Sequence, residues 1–185
     1  VVKSYMELNK PDSARIYLAA RLLSERGDKI VLNCMMAETY ITEELEDSAF
    51  VFLDRPMKSY KERAKNYQKK GKEPILPNCF LSPCYSFADL LWKKGKIQQA
   101  SQYYMIVEPL MKERVKTPVR MELQIKALTN FSSFCRETKQ YEKALDLLAR
   151  RDSVLQTYLE FKAKNDKKNY AERLKIQELK HELNA

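Results

Sequence analysis

A chain of 185 residues with 3 glycines, 44% hydrophobic residues and a formal net charge of +9 is long enough to bury about 70% of its unfolded surface, so it needs no disulfide or metal staple. The scarcity of glycine and the wealth of Leu, Ala, Glu, Lys, Gln and Met favour helix throughout, and no run of alternating β-branched residues reads as a strand. No apolar run approaches the roughly 20 residues of a membrane-spanning helix, and no signal peptide is visible.

In chain order, Val2, Tyr5 and Met6 read as the tail of a helix whose start is missing, as in a piece cut from a longer protein. Asn9-Lys10-Pro11-Asp12 is a turn that opens the next helix, since proline is tolerated at a first helical position. That helix carries Ala14, Ile16, Tyr17, Leu18, Ala20, Arg21 and Leu22 and stops near Gly27-Asp28. A second hairpin runs from Ile30 through Tyr40 and Ile41, turns near Glu43-Glu44, and returns through Asp47, Ala49, Phe50, Phe52 and Leu53. Pro56 is expected to kink or end the returning helix, because it lacks an amide hydrogen and clashes one turn back. A basic, helix-prone stretch follows from Lys58 to Lys72, and Gly71, Pro74, Pro77 and Pro83 mark the longest loop-like interval.

The clearest hairpin is Phe87 to Tyr104. Phe87, Leu90, Leu91 and Trp92 recur at helical spacing, Gly95 suits the left-handed backbone that ends a helix, and Ile97, Ala100, Tyr103, Tyr104 and Val107 resume the period. It is expected to end near Pro109 to Pro118. The last hairpin holds Leu123, Ile125, Leu128, Phe131, Phe134 and Cys135, a turn at Lys139-Gln140, then Tyr141, Ala144, Leu145 and Leu148. From Asp152 to Ala185 the pattern stays helical, with a turn expected at Asn165-Asp166.

Aligning the hairpins on a small residue of each second helix gives Ala14, Ala49, Ala100 and Ala144, at steps of 35, 51 and 44 residues. A helix-turn-helix period of about 34 residues is that of tetratricopeptide repeats, and the longer steps accommodate insertions at Lys58 to Pro77 and at Lys112 to Pro118. The chain resembles that family over Val1 to Arg151. Its signature is carried by Ala37 and Tyr40 with Ala49 and Leu53, and by Ala88 and Leu91 with Gly95, Ala100 and Tyr104. It recurs in Phe131, Ser132 and Cys135 with Tyr141, Ala144 and Leu148, and Tyr5, Ala14 and Leu18 match a repeat cut at its start.

The resemblance implies an all-α fold, a right-handed solenoid (α-α superhelix) of about four helical hairpins finished by a long C-terminal helix. The array spans 1–151 with an insertion at about 56–78, and 152–185 form a capping or linker helix. Arg151-Asp152-Ser153 and Tyr170 to Leu179 resemble the end of repeat arrays in bacterial sensor kinases and related transcription regulators. There the array sits before a membrane segment and a charged helix joins the repeats to the signalling half, which implies a soluble fragment of a membrane-anchored bacterial parent. Leu174, Leu179 and Leu183 fit such a linker; a helix capping the last hairpin fits them equally.

Catalysis is not expected. The single histidine, His181, lies in a charged tail without a nucleophile-base-orienter arrangement, and no Gly-rich phosphate loop is present, so no cofactor is expected. Cys34, Cys79, Cys84 and Cys135 read as free thiols in the core, where unpaired cysteine behaves as a small hydrophobe. Cys79 and Cys84 match a metal pair only loosely, so no metal is expected.

Two binding surfaces are expected instead. In the family arrangement the first helices line a concave groove, which here would include Lys3, Met6, Glu38, Ile41, Tyr85, Asp89, Trp92, Lys93, Thr129, Ser133 and Arg136 and would hold a protein or peptide partner. The second is the basic stretch Lys58, Lys61, Arg63, Lys65, Lys69, Lys70 and Lys72, opposed only by Glu62. It would suit nucleic acid or another anionic surface; alternatively these lysines simply keep an insertion soluble. The C-terminal helix offers a coiled-coil route to a dimer. The function expected is thus non-catalytic protein or peptide binding, or sensing, with nucleic-acid binding as the alternative.

Overall fold

The computed structural model describes residues 2–8, 10–24, 28–69, 77–112 and 116–183. They form α1 (Val2–Glu7), α2 (Pro11–Leu23), α3 (Lys29–Thr42), α4 (Glu46–Lys69), a 3-10 helix (Asn78–Phe80), α5 (Leu81–Lys93), α6 (Ile97–Lys112), α7 (Pro118–Glu137) and α8 (Tyr141–Leu183). Among the described residues there is no strand, and no helix is long and apolar enough to cross a membrane. The fold is all-α. The chain divides into two compact units, Val1–Glu113 and Arg114–Ala185.

The hairpin turns share one backbone plan. In three of them a residue just past the helix adopts the left-handed conformation: Glu44 (φ 58°), Gly95 (φ 75°) and Lys139 (φ 62°). Its N–H donates back to Ile41, Trp92 or Arg136, and the next N–H reaches Tyr40, Leu91 or Cys135 at 3.0, 2.9 and 2.8 Å. This paired bonding satisfies the carbonyls that a helix C-terminus leaves open. Lys10 makes the corresponding long bond to Tyr5 at 2.8 Å.

The residue that closes each first helix also opens the second. The carbonyls of Lys10, Leu45, Lys96 and Gln140 accept from the N–H groups of Ala14, Ala49, Ala100 and Ala144. These four alanines each occupy the fourth position of a second helix and are 0%, 0%, 0% and 6% exposed. The alignment read from the sequence thus corresponds to one repeated geometry. At Gly95 a Cβ would meet nothing within 4 Å, so Gly95→Ala is expected to cost about 1 kcal/mol, all from the left-handed backbone. Urea unfolding followed by circular dichroism checks this.

In the first unit α3 packs on α2, α4, α5 and the 3-10 helix, while α5 packs on α3, α4 and α6. Leu18, Leu32 and Met36 form one core cluster, flanked by Val2, Leu22, Met35, Tyr40 and Phe52, with Tyr40 and Phe52 stacked at 5.4 Å. The helix α5 is covered along most of its circumference: Leu81, Pro83, Cys84, Tyr85, Phe87, Ala88, Leu90 and Leu91 are all buried. In the second unit α7 packs on α8. Phe131, Phe134, Leu128 and Leu147 are buried there, and Lys143 sits over the Phe131 ring at 4.8 Å.

Several local expectations are corrected. Pro56 lies inside α4, which continues to Lys69. The helix survives because its far half is anchored: Met57 is buried, and Tyr60 meets Phe80 edge-on at 6.1 Å. Pro109 likewise lies inside α6, and Pro83 belongs to the first turn of α5, where no amide donor is required. No turn occurs at Asn165-Asp166. The boundary expected between Arg151 and Asp152 falls inside α8, which is unbroken from Tyr141 to Leu183. Neither glycine nor proline interrupts that stretch.

Candidate functional site

A cleft of about 460 Å³ lies in the first unit, walled by α4 and α6 with α5 beneath. Asp47, Phe50, Asp54, Met57 and Lys61 line it from α4, at alternating steps of three and four residues that bring them onto one helix face. Gln99, Tyr103 and Ile106 repeat that spacing on α6, continuing from Lys96 just before the helix, with Gln102 beside them. The floor is Phe87 and Leu91, each 1% exposed. The stretch from Asp47 to Lys61 covers about 21 Å of helix, so the cleft is roughly four turns long.

Its packing and charge are defined at both ends. Tyr103 stands edge-on to Phe87, with ring centroids 4.9 Å apart at 90°, and burial pushes its hydroxyl above the ordinary tyrosine range. Phe50, on the rim, is 49% exposed. At the mouth the Lys96 ammonium donates to the Glu46 carboxylate, with Lys94 also paired to it at 3.4 Å. The Lys96 bond is the main reason that the Glu46 carboxyl is held below its usual range. This ion cluster joins the α3–α4 turn to the α5–α6 turn, and a second depression of about 420 Å³ continues over Glu44, Leu45 and Ser48.

Comparison with protein-family models, curated proteins and solved structures returns no match. The site is therefore read from its own chemistry. Among the described residues its lining holds Asp, Glu, Gln, Lys, Tyr and apolar side chains, with no serine, cysteine or histidine. The site is an apolar floor with carboxylate, amide and ammonium groups along its edges.

The groove set inferred from the sequence is only partly brought together. Glu38 and Ile41 on α3, with Asp89, Trp92 and Lys93 on α5, occupy two helices that pack against each other. Ile41 and Trp92 are half-buried and Lys93 is exposed. Tyr85 is a correction: it is 4% exposed and belongs to the core, since α5 is covered on most sides. Asp89 accepts a hydrogen bond from the fully buried Tyr104 hydroxyl. Glu38 is half-buried; burial raises its carboxyl, opposed by a hydrogen bond from Ser82.

Met6 is half-buried on α1, while the Lys3 side chain lies outside the described residues. Thr129, Ser133 and Arg136 belong to the second unit, where the Thr129 hydroxyl donates to Ile125 of its own helix at 2.8 Å and Arg136 is exposed.

Within the basic set, Lys58, Lys61, Lys65 and Lys69 recur at steps of three, four and four on α4 and are all exposed, forming one stripe. Lys58 is paired with Asp54 at 2.6 Å. The Arg63 side chain, Lys70 and Lys72 lie outside the described residues. On α8, Leu174 is 41% exposed, whereas the side chains of Leu179 and Leu183 lie outside them. The sequence reading missed the α4–α6 cleft, although its stripes were present at Asp47 to Lys61 and Lys96 to Ile106.

Proposed function

We propose that this chain is a non-catalytic peptide-binding module, built of tetratricopeptide-like hairpins, which takes an amphipathic helix in the α4–α6 cleft. The observation that carries the reading is the pair of walls with three-and-four spacing on either side of the Phe87–Leu91 floor. Apolar residues of the incoming helix would lie on that floor, and basic residues would face Asp47 and Asp54. The repeat assignment is supported by the shared turn hydrogen bonds and by the four buried alanines. Catalysis plays no part in it.

The test is fluorescence anisotropy with labelled amphipathic Leu/Lys helical peptides. Phe50→Ala removes an exposed rim anchor and is expected to weaken binding about tenfold, the effect of a loss of roughly 1.4 kcal/mol at an interface anchor. Trp92→Phe, on the α3–α5 face, is expected to leave binding unchanged. Failure of every such peptide to bind, or sensitivity to Trp92 alone, would reject the cleft. The lysine stripe of α4 favours a second reading, nucleic-acid binding; in that case affinity for duplex DNA or RNA would fall steeply with salt.

A further inference from the structure

The two walls of the cleft differ in length and in the order of their charges. Glu46 opens α4 and Lys96 immediately precedes α6, and the ion pair between them sets the two helix starts level. Both helices run from that pair along the same floor, but α4 has 24 residues and α6 has 16. The last turns of α4 therefore extend past the lined part of the cleft, which ends at Lys61 on that wall. Lys65 and Lys69 follow about 6 and 12 Å farther along the helix, and both are exposed.

Charge changes sign along that wall. Asp47 and Asp54 line the first half of the cleft, and beyond Met57 come Lys61, Lys65 and Lys69 at steps of four. The only acidic residue from Lys58 to Lys69 is Glu62. Lys58 is paired with Asp54 at 2.6 Å, but among the described residues no ion pair occupies Lys61, Lys65 or Lys69. The facing wall adds no countercharge there, since Tyr103 and Ile106 follow Gln99 and Gln102.

Building on the cleft reading above, we propose that the bound helix is bipolar. Its basic half lies along Asp47 and Asp54, and its acidic half reaches past the floor onto Lys61, Lys65 and Lys69. A uniformly basic helix would set like charges against those lysines, and a uniformly acidic one would meet Asp47 and Asp54. Segregated charge suits both halves. It also fixes which way the helix runs, because reversal would place like against like at both ends. From Asp47 to Lys69 is about 33 Å, so a helix of about 22 residues covers the span.

The test is fluorescence anisotropy with the full 185-residue chain and two labelled helical peptides of that length. They share one composition and one apolar stripe; the first carries Lys in one half and Glu in the other, and the second alternates them. At low salt the segregated peptide is expected to bind about fivefold more tightly, since each exposed ion pair contributes a factor of roughly 1.5 to 5. The difference should shrink in concentrated salt. Lys65→Glu combined with Lys69→Glu should remove the preference and tighten binding of a uniform Leu/Lys peptide. Both positions are exposed, so the variant keeps its core, and circular dichroism checks its helix content. Equal affinity for the two peptides, or a preference that survives the double variant, overturns the proposal and leaves the cleft standing. Failure of all three peptides to bind rejects the cleft and the proposal together. Duplex DNA binding that the double variant abolishes, with peptide binding unaffected, assigns the lysines to nucleic acid and also overturns it.

Discussion

Phe87→Ala is expected to destabilise the first unit by about 3–5 kcal/mol, the range for removing a buried aromatic ring. Phe87 is 1% exposed and sits on α5, the helix that packs on α3, α4 and α6. Truncation would empty the floor of the cleft and remove the edge-on partner of Tyr103 at 4.9 Å. The hole cannot close easily, because helices on several sides would have to move together. Urea unfolding followed by circular dichroism should show a lower midpoint with an unchanged slope. Phe87→Leu should recover most of the loss, and a cost below about 1 kcal/mol for alanine would mean that the floor repacks.

Ala100→Leu is expected to cost about 1–3 kcal/mol, by overpacking rather than by leaving a void. Ala100 is 0% exposed, and its N–H is tied to the Lys96 carbonyl at 3.0 Å. The added atoms would push α6 away from α5 just beyond the turn that fixes their approach. Ala49→Leu should cost a similar amount, because Ala49 holds the same place in α4 and is also 0% exposed. Ile97→Leu, at a position 41% exposed, serves as the control and should change little. The measurement is again the unfolding free energy; a cost within 0.5 kcal/mol, the usual range for surface changes, would refute close helix approach at Ala100.

These two changes bear on different levels of the sequence reading. Ala100 was identified by its place after a turn, and that inference was local. The turns at Glu43-Glu44, Gly95 and Lys139-Gln140 could be read because helix ends are set by backbone bonding among residues close in sequence. Pro56 defeated the same kind of reasoning. A proline forfeits one intrahelical bond, but Met57 and Tyr60 are held by contacts with the rest of the unit, and these outweigh the loss.

Tyr85 was misplaced for another reason. Periodicity finds one buried face of a helix that is half exposed, and α5 is buried almost all round. Asp89 has helical spacing with Trp92, but its acceptance of a hydrogen bond from Tyr104 depends on the placement of α6. The stripes of the cleft were visible in the sequence, whereas the gap between them was not. The space left between α4 and α6 is set by how both rest on α5.

The sequence by itself determined the all-α class, the hairpin turns and the four buried alanines that open the second helices. All of these follow from helix propensity, helical spacing and turn chemistry within a few residues. Tertiary structure alone decided that α4 runs through Pro56, that Tyr85 is buried, and that a cleft opens between α4 and α6. Each depends on contacts between segments distant in the chain, and local preference is weaker than the burial those contacts provide.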